Sequence, residues 1–162
     1  MALTVSDGFP YYASLVKNLN ESFHSEENFN LLSRLTPEQW SYAYAPGKWT
    51  IKQIVGHITD HERIMSYRIL RFSRKDSTSL PGYDQDLMVN NSRFNDLSGS
   101  DLLEDLQNVR KATLSLMKSL SPEQLLLTGK AWKYELTVEE FLKATIGHEL
   151  HHFNVLHERY LK

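Results

Sequence analysis

The order of apolar and polar positions along the chain predicts four long helices. On the second and fourth of them, apolar residues recur every three or four positions, which is the period of an amphipathic helix. Alternating patterns typical of strands are absent; Ala131–Leu136 is a weak candidate, and we do not predict a strand there. The third helix begins at Ser98 or Ser100. The predicted helices are Asn20–Leu35, Ile51–Phe72, Asp101–Leu120 and Val138–Tyr160.

Capping boxes support these boundaries. In a capping box, a Ser or Thr precedes the helix and a Glu or Gln follows three residues later, so that the two side chains satisfy free backbone N–H groups. The pattern occurs four times, each time with flanking apolar residues that form a hydrophobic staple. It begins at Thr36, Thr50, Ser121 and Thr137.

Two of the boxes belong to an internal repeat. The segment 31–39 resembles 116–124, and each is followed by a variable loop and a long helix with a Gly-His pair, at Gly56 and Gly147. The chain therefore reads as two helical hairpins in succession. We predict an all-α fold, a four-helix bundle, in a single domain over residues 1–162. Residues 73–97 form the longest connection, which we interpret as a loop with room for one helical turn.

Amino-acid composition and net charge exclude several kinds of site and partner. The apolar fraction of 41% is that of a packed core, and the absence of cysteine excludes disulfides and thiolate ligands, which fits a cytoplasmic location. Any metal must use nitrogen or oxygen ligands. The net charge of −2 gives no electrostatic case for nucleic acid. The basic residues Arg68, Arg71, Arg74 and Lys75 favour a solvated helix end over a binding patch.

Neither a signal peptide nor a membrane span is expected. Residues 1–9 lack a charged segment followed by an apolar one, and no apolar run approaches the roughly 18 residues that a span requires.

The seven histidines are the strongest candidates for function. His148 and His152 are four residues apart, so both lie on one face of the fourth helix, close enough to share a metal ion. On the second helix His57 lies at the edge of the apolar face and His61 nearer its centre, and periodicity alone leaves both open as a third ligand. Three imidazoles leave a position open, as catalytic sites do. We expect His24, His151 and His157 at the surface.

A competing interpretation is a zinc protease, because residues 148–152 also satisfy H-E-x-x-H. That architecture needs a third ligand after the motif and a strand to hold the substrate. Position 158 is a glutamate, and the sequence predicts no sheet, so we disfavour this class. Glu149 is instead expected on the buried side of its helix, where it orients an imidazole or transfers protons.

Four motifs together resemble the DinB-like (YfiT-like) superfamily along nearly the whole chain. They are Tyr44–Lys52, Gly56–Arg63, Pro81–Asp84 and Gly147–His152. The resemblance implies an up-down-down-up bundle and one divalent ion, zinc, nickel or iron, held by three histidines. Carried over to this sequence, those ligands are His57, His148 and His152.

The same resemblance implies a small set of possible activities. Members include thiol-dependent S-transferases, a mycothiol-dependent isomerase and many proteins known only as candidate metal-dependent hydrolases. Some members have a second histidine where this chain has Glu62; here the carboxylate either contacts metal-bound water as a base or forms a buried pair with an arginine. The resemblance also implies a homodimer.

Two kinds of function remain open at this point. The leading hypothesis is an enzyme that activates water or a low-molecular-weight thiol for a small-molecule substrate, with Glu62 or Glu149 handling protons. Tyr83 and Asp84 either line the mouth of the pocket or are plain turn residues. The alternative is a protein without turnover, either a metal- or small-molecule-binding module or a stress-related interaction protein.

Overall fold

The computed structural model describes residues 2–19, 23 and 25–162 of the chain. Four longer helices form the bundle, and shorter helical turns and one β-hairpin connect them. The helices are α1 (Phe9–Ser14), α2 (Ser25–Ser33), α3 (Pro37–Trp40), α4 (Ile51–Ser73), α5 (Gln85–Asn90), α6 (Gly99–Lys118), α7 (Pro122–Leu125) and α8 (Val138–Val155). Short 3-10 turns cover Val5–Asp7 and Phe94–Asp96, and a π-helical turn, Leu156–Tyr160, extends α8.

All four predicted capping boxes are present. At Thr36, Thr50, Ser121 and Thr137 the side chain accepts a hydrogen bond from the backbone N–H three residues later, and the Glu or Gln at that position returns one. The boxes therefore begin α3, α4, α7 and α8. Ser98, one of the two predicted starts, caps α6.

The core shows how the four bundle helices run. One apolar cluster contains the end of α2, the starts of α4 and α6, and the end of α8. A second cluster contains the later part of α4, with Met65 and Phe72, and the start of α8, with Val138 and Phe141. The helices α2, α4, α6 and α8 therefore run up, down, down and up, and the predicted all-α bundle is confirmed.

The structure differs from the sequence-based prediction in two segments that connect bundle helices. A small antiparallel hairpin, β1 (Thr128–Ala131) and β2 (Tyr134–Thr137), occupies the region where no strand was predicted. Its two turn residues are Trp132, with a φ of 54°, and Lys133, so the usual Asn-Gly signal of a hairpin is missing. The loop after α4 contains α5 and a 3-10 turn.

The first predicted helix, Asn20–Leu35, was too long at its C-terminal end, because α2 ends at Ser33. Residues 20–22 and His24 lie outside the described residues. Before them, α1 packs across α8, and Gly147 makes this possible: a Cβ there would overlap the carbonyl oxygen of Tyr12.

Among the described residues, no helix combines the length and the apolar character needed to cross a bilayer.

Candidate metal centre

A polar layer separates the two apolar clusters of the bundle. It is formed where the middle of α4 faces the later half of α8, and nearly all of its side chains are buried. Its members are His57, His61, Glu62, Arg110, His148, Glu149 and the half-buried His152. Because buried polar groups are costly unless they are paired, this layer is the part of the core that needs a functional or structural explanation.

Three imidazoles converge within this layer. The Nε2 atom of His148 lies 3.0 Å from Nε2 of His57 and 3.1 Å from Nε2 of His152. The potential ligand atoms of these three residues all lie within 4.8 Å of one another. Two nitrogens bound at about 2.0–2.1 Å to one tetrahedral ion would be about 3.3 Å apart, so the arrangement is close to a coordination geometry.

Hydrogen bonding among the three rings does not account for their convergence. A neutral imidazole nitrogen carries either one proton or one lone pair. His148 Nε2 therefore makes at most one ordinary hydrogen bond, although it lies at hydrogen-bonding distance from two nitrogens. A single cation between the three atoms would satisfy all three lone pairs at once. The residues present thus fit a divalent ion.

Burial keeps these imidazoles neutral. It lowers the pKa of His57 to about 4, and it lowers the pKa values of His148 and His152 well below their usual range, with smaller contributions from neighbouring histidines. A neutral imidazole keeps the lone pair that a metal ion requires, whereas a protonated one has none.

His61 supports the cluster from the side. Its ring stacks on that of His148, with centroids 3.7 Å apart, and its Nδ1 lies 2.5 Å from the hydroxyl of Tyr83. Its Nε2 is buried and has no hydrogen-bond partner among the described residues. Of the two histidines that periodicity left open, the structure therefore brings His57 into the three-nitrogen cluster and places His61 behind it.

The other histidines divide between surface and interface. His157 is exposed, as expected. His151 was expected at the surface, but it is half-buried, because α1 covers this side of α8 and the rings of Tyr11 and Tyr12 contact the imidazole.

Glu62 and Glu149 are joined by a buried arginine from α6. Arg110 donates hydrogen bonds from Nε and Nη2 to the Glu62 carboxylate, at 3.0 and 2.9 Å, and from Nη2 to Glu149, at 2.6 Å. Asn28 on α2 donates a further bond to Glu149 at 3.2 Å. Of the two alternatives for Glu62, the structure has the buried pair with an arginine. The described hydrogen bonds of Glu149 likewise go to Arg110 and Asn28, and not to an imidazole.

A cavity of about 410 Å³ opens beside the histidine cluster. His152 and Trp49 line it, and the Trp49 ring lies 5.0 Å from that of His57. Lys48 and Tyr44 form part of its wall. The side of the cluster that faces this cavity is accessible to a small molecule, which is the arrangement that a catalytic metal site requires.

The two loop candidates have different roles. Tyr83 lines a second cavity and reaches His61 through its hydroxyl, and burial raises its pKa. Asp84 is exposed and caps α5, accepting a hydrogen bond from the backbone of Leu87.

Two buried arginines were not found from the sequence. Arg110 lies on the buried face of α6, three or four residues from Leu106 and Thr113, and Arg68 lies on the same face of α4 as Met65 and Phe72. The helical period could have located both. Arg68 was instead assigned to a solvated helix end, but it is 3% exposed because α1 and the loop after α4 cover it.

Several known proteins resemble this chain in sequence or in fold. A curated protein of Oceanobacillus iheyensis, named as a candidate metal-dependent hydrolase, is 26% identical over 125 residues, covering 75% of this chain and 70% of the relative. The solved structure of YfiT from Bacillus subtilis, described as a candidate metal-dependent hydrolase with an unusual four-helix bundle topology, superposes with a TM-score of 0.72 at 18% identity. The match covers 98% of this chain and 89% of YfiT.

A mycothiol-dependent maleylpyruvate isomerase shares the fold more distantly. Its structure gives a TM-score of 0.65 at 10% identity, and the match covers 93% of this chain but 60% of the isomerase. The sequence profile of the DinB superfamily matches residues 23–156, which include every residue of the histidine cluster. This chain belongs to the DinB superfamily.

Proposed function

We propose that the protein is a metal-dependent hydrolase whose divalent ion is held by His57, His148 and His152. The observation that carries the proposal is the convergence of three neutral Nε2 atoms beside an open cavity. When bound, such an ion lowers the pKa of a coordinated water and provides hydroxide near neutral pH. The names of the relatives from O. iheyensis and B. subtilis support the same class of reaction.

The residues of the chain have distinct tasks in this proposal. The histidines of α4 and α8 supply three ligands, which leaves one position directed at the substrate. Trp49 and Tyr44 give the cavity an aromatic wall that binds the apolar part of a small molecule and excludes water. His61 fixes the ring of His148 by stacking on it, and Tyr83 holds His61 in turn.

Glu62 and Glu149 enter the proposal as positioning residues. Both carboxylates are bound to Arg110 and buried. Glu149 directly follows His148 of the cluster in sequence, and Glu62 directly follows His61, whose ring stacks on that of His148. The network ties α4, α6 and α8 together at the level of the metal ligands. Its effect on catalysis is therefore through the placement of the imidazoles.

Metal content tests the first half of the proposal. The purified wild type and the His152→Ala variant are each reconstituted with zinc, nickel or iron. Their metal content is then measured by elemental mass spectrometry. A matched control is His157→Ala, which removes an exposed histidine near the same helix end. We expect about one ion per chain in the wild type and in the control, and a large loss in His152→Ala. Equal metal content in all three proteins would contradict the ligand assignment.

Activity tests the second half. The reconstituted wild type and His152→Ala are assayed on ester and amide substrates, and on thiol-transfer substrates with low-molecular-weight thiols. If the ion activates water, the rate of hydrolysis should be at least about a hundredfold lower in His152→Ala than in the wild type. Turnover confined to the thiol substrates would move the protein to the transferase class. Stoichiometric metal without any turnover would instead favour the binding module.

A further inference from the structure

The second cavity, which Tyr83 lines, has two cations in its wall. It measures about 330 Å³ and lies between the N-terminal segment, the loop after α4 and the β-hairpin. Five of its twelve lining residues are aromatic, and Arg68 and Lys133 are its two cations; the lining contains no carboxylate among the described residues. The lining includes Phe9, Tyr12, Arg68, Tyr83, Trp132 and Lys133.

Arg68 is a buried cation that has no acidic partner among the described residues. Its side chain donates a hydrogen bond from Nη2 to the carbonyl oxygen of Pro81 at 2.7 Å, and Nη1 lies 3.7 Å from the sulfur of Met65. Within the described part of the chain, no carboxylate lies at salt-bridge distance from it. Burial removes water from the Arg68 guanidinium and lowers its pKa. A buried charge that only neutral groups contact is costly, so an external anion would stabilise it.

Aromatic rings hold the guanidinium in place. The Arg68 guanidinium carbon lies 5.7 Å from the centroids of both the Phe9 and the Tyr83 rings. At the rim, the ammonium of Lys133 lies 4.6 Å from the Trp132 ring. Because the two rings and the hydrogen bond to Pro81 restrict the Arg68 guanidinium before a ligand arrives, the entropic cost of binding is lower.

From this cavity we infer a binding site for a small organic carboxylate, whose carboxylate pairs with Arg68 and whose flat apolar body lies among the aromatic rings. A guanidinium edge matches the two oxygens of a carboxylate. One deeply buried cation balances a single negative charge, which favours a carboxylate over a phosphate dianion. The volume lies within the range of small-molecule pockets.

The site adjoins the histidine cluster. The Tyr12 ring, which lines the cavity, lies 5.2 Å from that of His148, and the Tyr83 hydroxyl contacts His61. Gln85 borders both this cavity and the one beside His152. The bound carboxylate is therefore the recognition group of the substrate, and this last step, unlike binding itself, rests on the proposed hydrolase function.

Calorimetric titration with benzoate, and with benzyl alcohol as its neutral analogue, tests the inference on the full chain. We expect saturable benzoate binding to the wild type, weakened at least about tenfold in Arg68→Met, because a charge-assisted bidentate contact is lost. Benzyl alcohol should bind weakly and equally to both proteins. The matched control, Arg93→Met, removes an arginine that is 81% exposed and should leave benzoate binding unchanged.

Three further measurements distinguish a ligand-binding role of this cavity from a structural role of Arg68, and from the proposed hydrolase function. Lys133→Met alters an exposed rim residue, so it tests the site without affecting the core, and a several-fold weaker affinity for benzoate is expected. His152→Ala should bind benzoate as the wild type does, even where it has lost metal and activity, which separates this inference from the proposed function. Melting temperatures show whether Arg68→Met is folded.

Several results would overturn the assignment. They are the absence of benzoate binding to the wild type at millimolar concentration, unchanged affinity in folded Arg68→Met, and preference for phenyl phosphate or inorganic phosphate over benzoate. A large fall in melting temperature in Arg68→Met, together with unchanged benzoate affinity in Lys133→Met, would assign Arg68 a structural role.

Discussion

At the scale of single residues, the burial of His57 makes the free energy of unfolding depend on pH. His57 is 2% exposed, and burial lowers its pKa from 6.5 to about 4. In the unfolded chain the same imidazole is solvated and takes up a proton near pH 6.5. The folded protein therefore binds this proton less tightly than the unfolded chain does, and acid favours unfolding.

We predict that the metal-free protein loses stability as the pH falls from about 6.5 to 4. Above pH 6.5 His57 is neutral in both states and its contribution is complete. Below that pH the unfolded chain is protonated first, and the loss continues down to the folded pKa of about 4. For His57 alone the difference amounts to about 3 kcal/mol. Urea unfolding of chelator-treated protein between pH 7 and pH 4 measures it.

Comparison with variants isolates this histidine from the other groups that titrate in acid. His57→Phe should reduce the slope of unfolding free energy against pH, whereas His157→Phe, at an exposed position, should not. Parallel curves for the wild type and His57→Phe would show that the buried imidazole does not control acid stability.

At the scale of helices, the Arg110 network fixes α4 and α8 relative to each other. The arginine is 1% exposed, and its guanidinium contacts carboxylates from both helices that carry the histidines. The guanidinium carbon also lies 3.7 Å from the centroid of the Phe23 ring. Burial raises the pKa of Glu149, and the positive charge of Arg110 opposes this shift.

We predict that Arg110→Met destabilises the protein by about 3–5 kcal/mol, because it leaves two buried carboxylates without their partner. Adding Glu62→Gln and Glu149→Gln should recover part of the loss. The control is Arg63→Met, which breaks an exposed pair with Asp105 and should cost about 1 kcal/mol or less. Chemical denaturation measures all of these variants. An Arg110→Met loss no larger than that of the control would contradict a structural role for the network.

Helix starts were predictable because their signals are local. A capping box consists of two side chains three residues apart, and all four predicted boxes are present. The hairpin was not predicted, because each strand has only four residues, too few for an alternating pattern to be distinctive, and its turn places Trp132 at positive φ. Its pairing depends partly on a contact with Leu80, about fifty residues away.

The candidate metal site also depended on contacts that are distant in sequence. The spacing of His148 and His152 predicted a shared helical face, but the choice of His57 over His61 came from the resemblance to a family. Both α4 histidines are buried, and only the packing of α8 decides which ring nitrogen meets the other two. The burial of Arg68 likewise depends on α1 and the following loop, which are distant in sequence.

At the scale of the whole molecule, the polar layer lies between two apolar clusters and joins the antiparallel helices α4 and α8. An ion bound to ligands from both helices is a cross-link across the middle of the bundle. The unfolded chain does not hold three imidazoles at this spacing, so the ion binds the folded state preferentially.

We therefore predict that metal binding raises the melting temperature in proportion to the logarithm of the free metal concentration. At a hundredfold excess over Kd the stabilisation is about 2.7 kcal/mol, or roughly 5–10 °C for a domain of this size. Differential scanning calorimetry with increasing zinc, reversed by a chelator, measures the shift. The variant His157→Ala should respond as the wild type does, whereas His152→Ala should show little response, because two ligands bind an ion more weakly than three. If zinc raised the melting temperature of His152→Ala as much as that of the wild type, the ion would bind elsewhere. That result would exclude a metal cross-link between α4 and α8.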